Sequence, residues 1–120
     1  MVRNLSTMPL HTAAVLNDAD AVRTLITAGA PPDGLEDSAS GFTPLHQAAL
    51  HGNTKAAKAL IDAGALIDAV DRTSQTPLHW AAKHGHAEVV KILAAAGACL
   101  DAEDRTRQAP LHLAAMRGHA

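Results

Sequence analysis

The clearest apolar pattern in the sequence lies between residues 87 and 97. Four apolar residues occur there at positions i, i+3, i+4 and i+7, namely Val89, Ile92, Leu93 and Ala96. This spacing places them on one side of a helix. Glu88 falls in the first turn, where a negative charge interacts favourably with the helix dipole. The pattern therefore predicts a helix that begins near Ala87 and ends at Gly97, because glycine is typical of helix ends.

A shorter helix is predicted just before this one. Thr76 is a favourable N-cap residue, and Pro77 suits the first helical position because its missing N–H needs no partner there. The apolar side of this helix consists of Leu78, Ala81 and Ala82. Gly85 ends the helix by supplying a left-handed backbone conformation. After the second helix, a polar loop from Cys99 to Gln108 leads to the next such unit.

The same unit recurs along the chain. The prolines that open each unit stand at positions 9, 44, 77 and 110, which gives spacings of 35, 33 and 33 residues. An Ala-Gly-Ala block recurs in the same register at residues 28–30, 63–65 and 96–98. Helices this short are not stable alone in water, so each unit must bury its apolar side against its neighbours. The chain is therefore expected to form an elongated stack of helical repeats.

The repeated block and its period resemble the ankyrin repeat. The block reads Thr-Pro-Leu-His-Trp-Ala-Ala at residues 76–82, and residues 85–93 read Gly-His-Ala-Glu-Val-Val-Lys-Ile-Leu. The resemblance extends from about residue 5 to residue 120. It implies one all-α domain over residues 1–120, a solenoid of helix pairs with β-hairpin-like connecting loops. The expected repeats span approximately residues 5–37, 38–70 and 71–103, followed by a truncated repeat at 104–120.

The resemblance also implies a function. Ankyrin repeats bind partner proteins through the concave face that their hairpin tips and first helices form, so we expect a protein-interaction module or scaffold. The alternative is that the chain is the ankyrin segment of a larger multidomain protein, whose enzyme, channel or effector part lies elsewhere. The chain itself is not expected to be an enzyme, because it has no phosphate-binding glycine loop, hydrolase nucleophile motif or zinc-protease motif.

Several positions depart from the repeat pattern. The loop from Pro31 to Phe42 is two residues longer than its counterparts. Asn17 stands where the first helix of the other units ends in glycine, and asparagine is the next best residue for that conformation. Ser74 and Arg107 occupy the hairpin-tip position where the family prefers glycine, which Gly41 retains.

Composition limits the classes of partner. The formal net charge is −2, and aromatic residues make up 2% of the chain, which argues against nucleic acid as a partner. No apolar run approaches the 18 residues of a membrane-spanning helix, so no membrane association is expected. Cys99 is the single cysteine, which fits a reducing compartment. A cytoplasmic location is therefore expected, with a nuclear protein or a secreted effector as alternatives.

The eight histidines raise the question of a metal site. Four of them are the repeat histidine, which in the family supports the fold: His11, His46, His79 and His112. His84 and His86 are expected to be a surface residue and a packing residue, because Gly85 separates them and no further ligands accompany them at a metal-binding spacing. No metal, cofactor or catalytic residue is therefore expected. Trp80 is interpreted as a residue of the core.

The candidate partner-binding residues lie at hairpin tips or at the exposed ends of first helices. They are Phe42, Leu50, His51, Arg72, Gln75, Lys83, His84, Arg105, Gln108 and Arg117. Their basic members predict a groove for an acidic or phosphorylated protein segment, and the alternative is a merely solvated face. Phe42 is included because an apolar ring has little reason to be exposed beside the tip glycine, although it could instead pack on the longer first loop.

The fourth unit ends at Ala120 without a second helix. Leu111, Leu113 and Ala114 then have one flank to bury against. The second helix of the third unit, with Val89, Val90, Ile92 and Leu93, is also expected to lose its cover. The expected outcomes are fraying, coverage by another chain or a second copy, or continuation of the natural protein beyond Ala120. Fraying or self-association is favoured for the isolated chain.

Overall fold

The computed structural model describes residues 10–32 and 41–109, which form six α-helices. The helices are α1 (Leu10–Val15), α2 (Ala19–Thr27), α3 (Pro44–His51), α4 (Thr54–Asp62), α5 (Pro77–Lys83) and α6 (Ala87–Ala95). No β-strand occurs within the described ranges. The candidate residue Arg117, the repeat histidine His112 and the whole expected end at residues 110–120 lie outside them.

The six helices form two layers of stacked pairs. The first helices of the units, α1, α3 and α5, contact one another in sequence, and so do the second helices, α2, α4 and α6. Each first helix also packs on the second helix of its own unit. The molecule is elongated, with principal dimensions of 46 × 26 × 24 Å. The predicted all-α solenoid is therefore confirmed.

Two of the first helices begin with the caps that the sequence predicts. In α3, the Thr43 side chain accepts a hydrogen bond from the His46 backbone N–H at 3.2 Å, and the His46 ring accepts one from the Thr43 N–H at 3.1 Å. Thr76 and His79 repeat this reciprocal arrangement at α5, with distances of 3.3 and 3.0 Å. Each such N-cap contributes about 1 kcal/mol to stability.

The residues that end helices and form tips adopt the left-handed backbone expected of them. Gly52 has φ of 69° after α3, and Asn17 has φ of 55° after α1. Ser74 and Arg107 reach φ of 61° and 62° at the tip position, where Gly41 has 69°. The two non-glycine tips therefore keep the geometry of the glycine that the family prefers.

Alanine and leucine fill the space between the helices. Fully enclosed residues include Ala13, Ala14, Ala48, Ala49, Ala56, Ala57, Leu60 and Ala81. Small side chains let the helices approach closely, which explains why so few aromatic residues are needed. The expectation that α6 loses its cover was wrong for Val89 and Leu93, which are completely buried because α6 packs on both α4 and α5.

Candidate protein-binding surface

The repeat histidines join each unit to the loop of the next. His46 Nε2 donates to the Gln75 carbonyl at 2.9 Å, and His79 Nε2 donates to the Gln108 carbonyl at the same distance. The proton sits on Nε2 in both rings because each Nδ1 accepts from a threonine N–H. His11 makes the corresponding contact with the Phe42 carbonyl at 2.6 Å. The structural interpretation of these three histidines is confirmed.

His46 is held in its neutral form. Its side chain is fully buried, and this burial lowers the pKa of His46 below its usual value of 6.5 because a charged imidazolium would lose its hydration. The acceptors and donors around the ring are backbone and threonine groups of the protein itself. The ring is therefore engaged in joining repeats and is closed to an external ligand.

Two tight loops, the third-repeat tip (residues 71–75) and the fourth-repeat tip (residues 104–108), share one hydrogen-bond pattern. Asp71 Oδ1 accepts from the Thr73 N–H, the Thr73 hydroxyl and the Gln75 N–H at 2.9, 2.7 and 3.0 Å. Asp104 Oδ1 accepts from Thr106 and Gln108 in the same way, at 2.8, 2.8 and 2.9 Å. The loops are thus rigid supports for the side chains that they display.

The second carboxylate oxygen distinguishes the two tips. Asp104 Oδ2 accepts from the Gln75 side chain at 3.1 Å, whereas Asp71 Oδ2 accepts from the Trp80 indole N–H at 2.9 Å. Burial acts to raise the pKa of both aspartates, but their hydrogen bonds outweigh it. The pKa of Asp71 is lowered, and that of Asp104 falls to about 2. Both aspartates are consequently ionised, and each turns one oxygen into its own loop and the other toward Trp80 or Gln75.

An aromatic cluster of Phe42, Trp80 and His84 lies beside the third-repeat tip. Phe42 meets the Trp80 ring edge-on, with centroids 5.2 Å apart and planes at 83°. His84 stacks on Trp80 at 5.8 Å, nearly parallel at 6°. The Lys83 ammonium lies 4.9 Å from the centre of the indole ring, in a cation–π contact. All three members of the cluster are half-buried, so each retains some exposed surface.

Basic residues also stand on the two tips. Arg72 and Arg105 are exposed at the two tips, and the tips are joined by a hydrogen bond from the Arg105 N–H to the Thr73 carbonyl at 3.1 Å. In the described part of the chain, ion pairs occur on the second helices, joining Arg23 to Asp20 at 3.0 Å and Lys91 to Glu88 at 3.4 Å. No described carboxylate forms an ion pair with Arg72, Lys83 or Arg105.

A comparison with known families decides the classification. The family model described as ankyrin repeats (many copies) matches residues 10–61 and 48–94, which together exceed half of the chain. This chain belongs to the ankyrin-repeat family. No curated protein matches it. Ankyrin repeats are generally protein-interaction modules and are typically non-catalytic.

The structure of this ankyrin-repeat chain brings most of the sequence-predicted surface residues to one region. His51, Arg72 and Arg105 are exposed, and the half-buried members are Phe42, Leu50, Lys83, His84 and Gln108. They follow the tips and the C-terminal ends of α3 and α5. We call this region the tip-and-helix surface and define it by Phe42, Leu50, His51, Arg72, Trp80, Lys83, His84, Arg105 and Gln108.

Two residues of this ankyrin surface differ from their sequence-based interpretation. Gln75, expected among the contact residues, is only 8% exposed because its side chain reaches the carboxylate of Asp104. Trp80 packs against the core as expected, but it is not fully enclosed and keeps some exposed surface beside Phe42. The signal that could have placed Trp80 at the surface is the polar residue at the corresponding position of the preceding repeat, Gln47.

His86 forms the junction behind the cluster. Its Nε2 donates to the Leu50 carbonyl at 2.9 Å, which agrees with its expected packing role. Its ring centre lies 6.2 Å from that of His84.

In the described residues of this ankyrin domain, no group of three or more His, Cys, Asp or Glu side chains could hold a metal ion. None of the described helices is both long and apolar enough to cross a membrane.

Proposed function

We propose that this chain binds a partner protein through the tip-and-helix surface, and that it has no catalytic role of its own. The main support is the partly exposed aromatic cluster of Phe42, Trp80 and His84, with Lys83 over the indole. Arg72 and Arg105 are exposed on the two tips, and none of the three cations forms an ion pair with a described carboxylate. Aromatic residues and arginine are enriched at the energetic centres of protein interfaces.

The charges of this surface favour an acidic partner segment. Arg72 and Arg105 are exposed and Lys83 lies half-buried over Trp80, while all four carboxylate oxygens of Asp71 and Asp104 accept hydrogen bonds from the tips, Trp80 or Gln75. Arginine forms paired hydrogen bonds with carboxylate or phosphate groups, so either an acidic or a phosphorylated segment would satisfy it. We propose a carboxylate-rich segment, with phosphorylation as an addition that strengthens binding.

The interaction is proposed to take place in the cytoplasm. Cys99 is exposed and unpaired, and an exposed free thiol persists in a reducing compartment. No feature of the surface calls for nucleic acid, since the two largest rings, Phe42 and Trp80, contact each other at 5.2 Å. A strand of nucleic acid would need such rings to be separate and open for base stacking.

The experiment compares two variants with equal changes of charge. R72E/K83E/R105E reverses the cations of the tip-and-helix surface, and K55E/K58E/K91E reverses three lysines that lie exposed on second helices. Partners captured by the wild-type chain are identified, and the affinity of one purified partner is then measured for all three proteins at two salt concentrations.

The first variant is expected to weaken binding at least tenfold, and to reduce its salt dependence, because it removes charges that steer and hold the partner. The second variant should change affinity by less than threefold. If both variants weaken binding equally, the effect belongs to net charge alone and the proposed surface is wrong. Circular dichroism of each variant establishes that the loss does not arise from unfolding.

A further inference from the structure

Phe42, Gln75 and Gln108 occupy the same position of successive repeats. Phe42 and Gln75 each stand directly before the capping threonine, and Gln108 precedes the corresponding Ala109. The Gln75 side chain uses this position to donate to Asp104, the aspartate of the following tip, at 3.1 Å. Phe42 precedes Asp71 by the same number of residues as Gln75 precedes Asp104, but a phenyl ring has no N–H or O–H group to donate a hydrogen bond.

Trp80 supplies the donor that Phe42 lacks. Its indole N–H reaches Asp71 Oδ2 at 2.9 Å from within α5, so the ring is tied to the third-repeat tip. The Phe42 ring packs edge-on against it at 5.2 Å, in one of the preferred arrangements of aromatic pairs. Phenylalanine in place of glutamine at residue 42 thus leaves Asp71 Oδ2 free to accept from the indole, and the Phe42 ring packs beside the indole.

We propose that Asp71 is a positioning residue that fixes the Trp80 indole at the centre of the tip-and-helix surface, ready for an apolar side chain of the acidic partner segment, and that Phe42 permits this by leaving Asp71 Oδ2 free for the indole. This inference rests on the proposed function. An indole that is already held in place loses little conformational freedom when a partner binds, so its release is expected to weaken binding about 3- to 10-fold. Asp71 would act through Trp80 and would not itself touch the partner.

The test compares F42Q with F42L. F42Q places at residue 42 the amide that Gln75 uses in the next repeat, so it should compete for Asp71 Oδ2 and release the indole. F42L removes the aromatic ring without adding a donor, so the bond between Trp80 and Asp71 should survive. Trp80 is the only tryptophan in the chain, and its fluorescence therefore reports this site alone.

F42Q is expected to shift the emission to longer wavelength and to increase quenching by iodide, while F42L stays near the wild type. D71N keeps one oxygen for the donors of the tip and replaces the other by an NH2 group, which cannot accept from the indole, so it should match F42Q. Q75L is the control from the next repeat, because it breaks the bond to Asp104 and should leave the fluorescence of Trp80 unchanged. The single indole N–H resonance in a proton–nitrogen spectrum gives a second readout that requires no partner.

Equal fluorescence shifts in F42Q and F42L, or none in F42Q and D71N, would overturn the inference. So would a released indole in F42Q with unchanged affinity for the partner, since the ring would then have no role at the interface. The proposed function is judged separately by the charge-reversed variant R72E/K83E/R105E. If that variant loses binding while F42Q does not, only the positioning role fails.

Discussion

Alanine at position 52 should loosen the junction between the second and third repeats. Gly52 has φ of +69°, where a residue with a Cβ atom costs roughly 1 kcal/mol. A Cβ atom there would lie 2.6 Å from His86 Nδ1, so the ring must move. That movement breaks the hydrogen bond of 2.9 Å between His86 and the Leu50 carbonyl, which contributes roughly 1 kcal/mol.

The expected destabilisation of G52A is therefore about 2–3 kcal/mol, or a fall of about 10 °C in Tm. The assay is urea denaturation followed by circular dichroism. G64A is the matched control, because Gly64 has φ of +93° and a Cβ atom added there would meet no other atom within 4 Å, so only the backbone cost remains. The reasoning is refuted if G52A destabilises the protein no more than G64A does.

A rescue variant tests the same junction from the opposite direction. The first junction carries Asn17 and Asn53 in place of Gly52 and His86. Asn53 Nδ2 donates to the Ala14 carbonyl at 2.7 Å, and Asn17 Oδ1 accepts from the Ala56 N–H, at the start of α4, at 3.0 Å. The double variant G52N/H86N copies this solution and should recover at least half of the stability that G52A loses.

Four further predictions concern the pH dependence of stability, metal binding and local stability. The pKa of Asp104 is about 2 in the folded state and near 3.8 in the unfolded state, so the ionised carboxylate stabilises the fold above this pH range and this stabilisation is lost as the pH falls through it. In D104N, the free energy of unfolding should therefore change less between pH 5 and pH 2 than in the wild type. The lowered pKa of His46 in the folded state means that the unfolded state binds a proton more readily, so the free energy of unfolding should fall as the pH drops below 6.5. H46Q should remove this pH dependence. EDTA should leave the melting curve unchanged, and a fall of several degrees that zinc reverses would contradict this expectation. In the isolated chain, hydrogen exchange should be slow near the fully buried Leu60, and exchange there as fast as at the exposed Leu16 would contradict this expectation.

The fold was predictable because its determinants are local. A Thr-Pro pair begins a helix in both repeats, at residues 43–44 and at residues 76–77. Gly52 and Asn17 each end a helix through their own left-handed backbone conformation. The constant period then places each such unit against the next. The structural role of the repeat histidines was also predictable, because the resemblance to the ankyrin family implied it.

The centre of the candidate surface was less predictable, since it depends on contacts between repeats. The structure places the Trp80 ring through its hydrogen bond to Asp71 and its contact with Phe42, which belongs to another repeat. Gln75 was misplaced for the same reason, because its partner Asp104 lies 29 residues away. The Phe42–Trp80 contact and the Gln75–Asp104 hydrogen bond both join different repeats, so the pattern within one repeat predicts neither of them.

Hydrogen exchange of the complex with a captured partner shows directly which surface of the chain the partner covers. We expect slower exchange at the third- and fourth-repeat tips, residues 71–75 and 104–108, and at the C-terminal end of α5. The outer helices α4 and α6 should exchange as in the free chain. Protection of α4 and α6 with the two tips unchanged would contradict the claim that this protein binds its partner through the tip-and-helix surface.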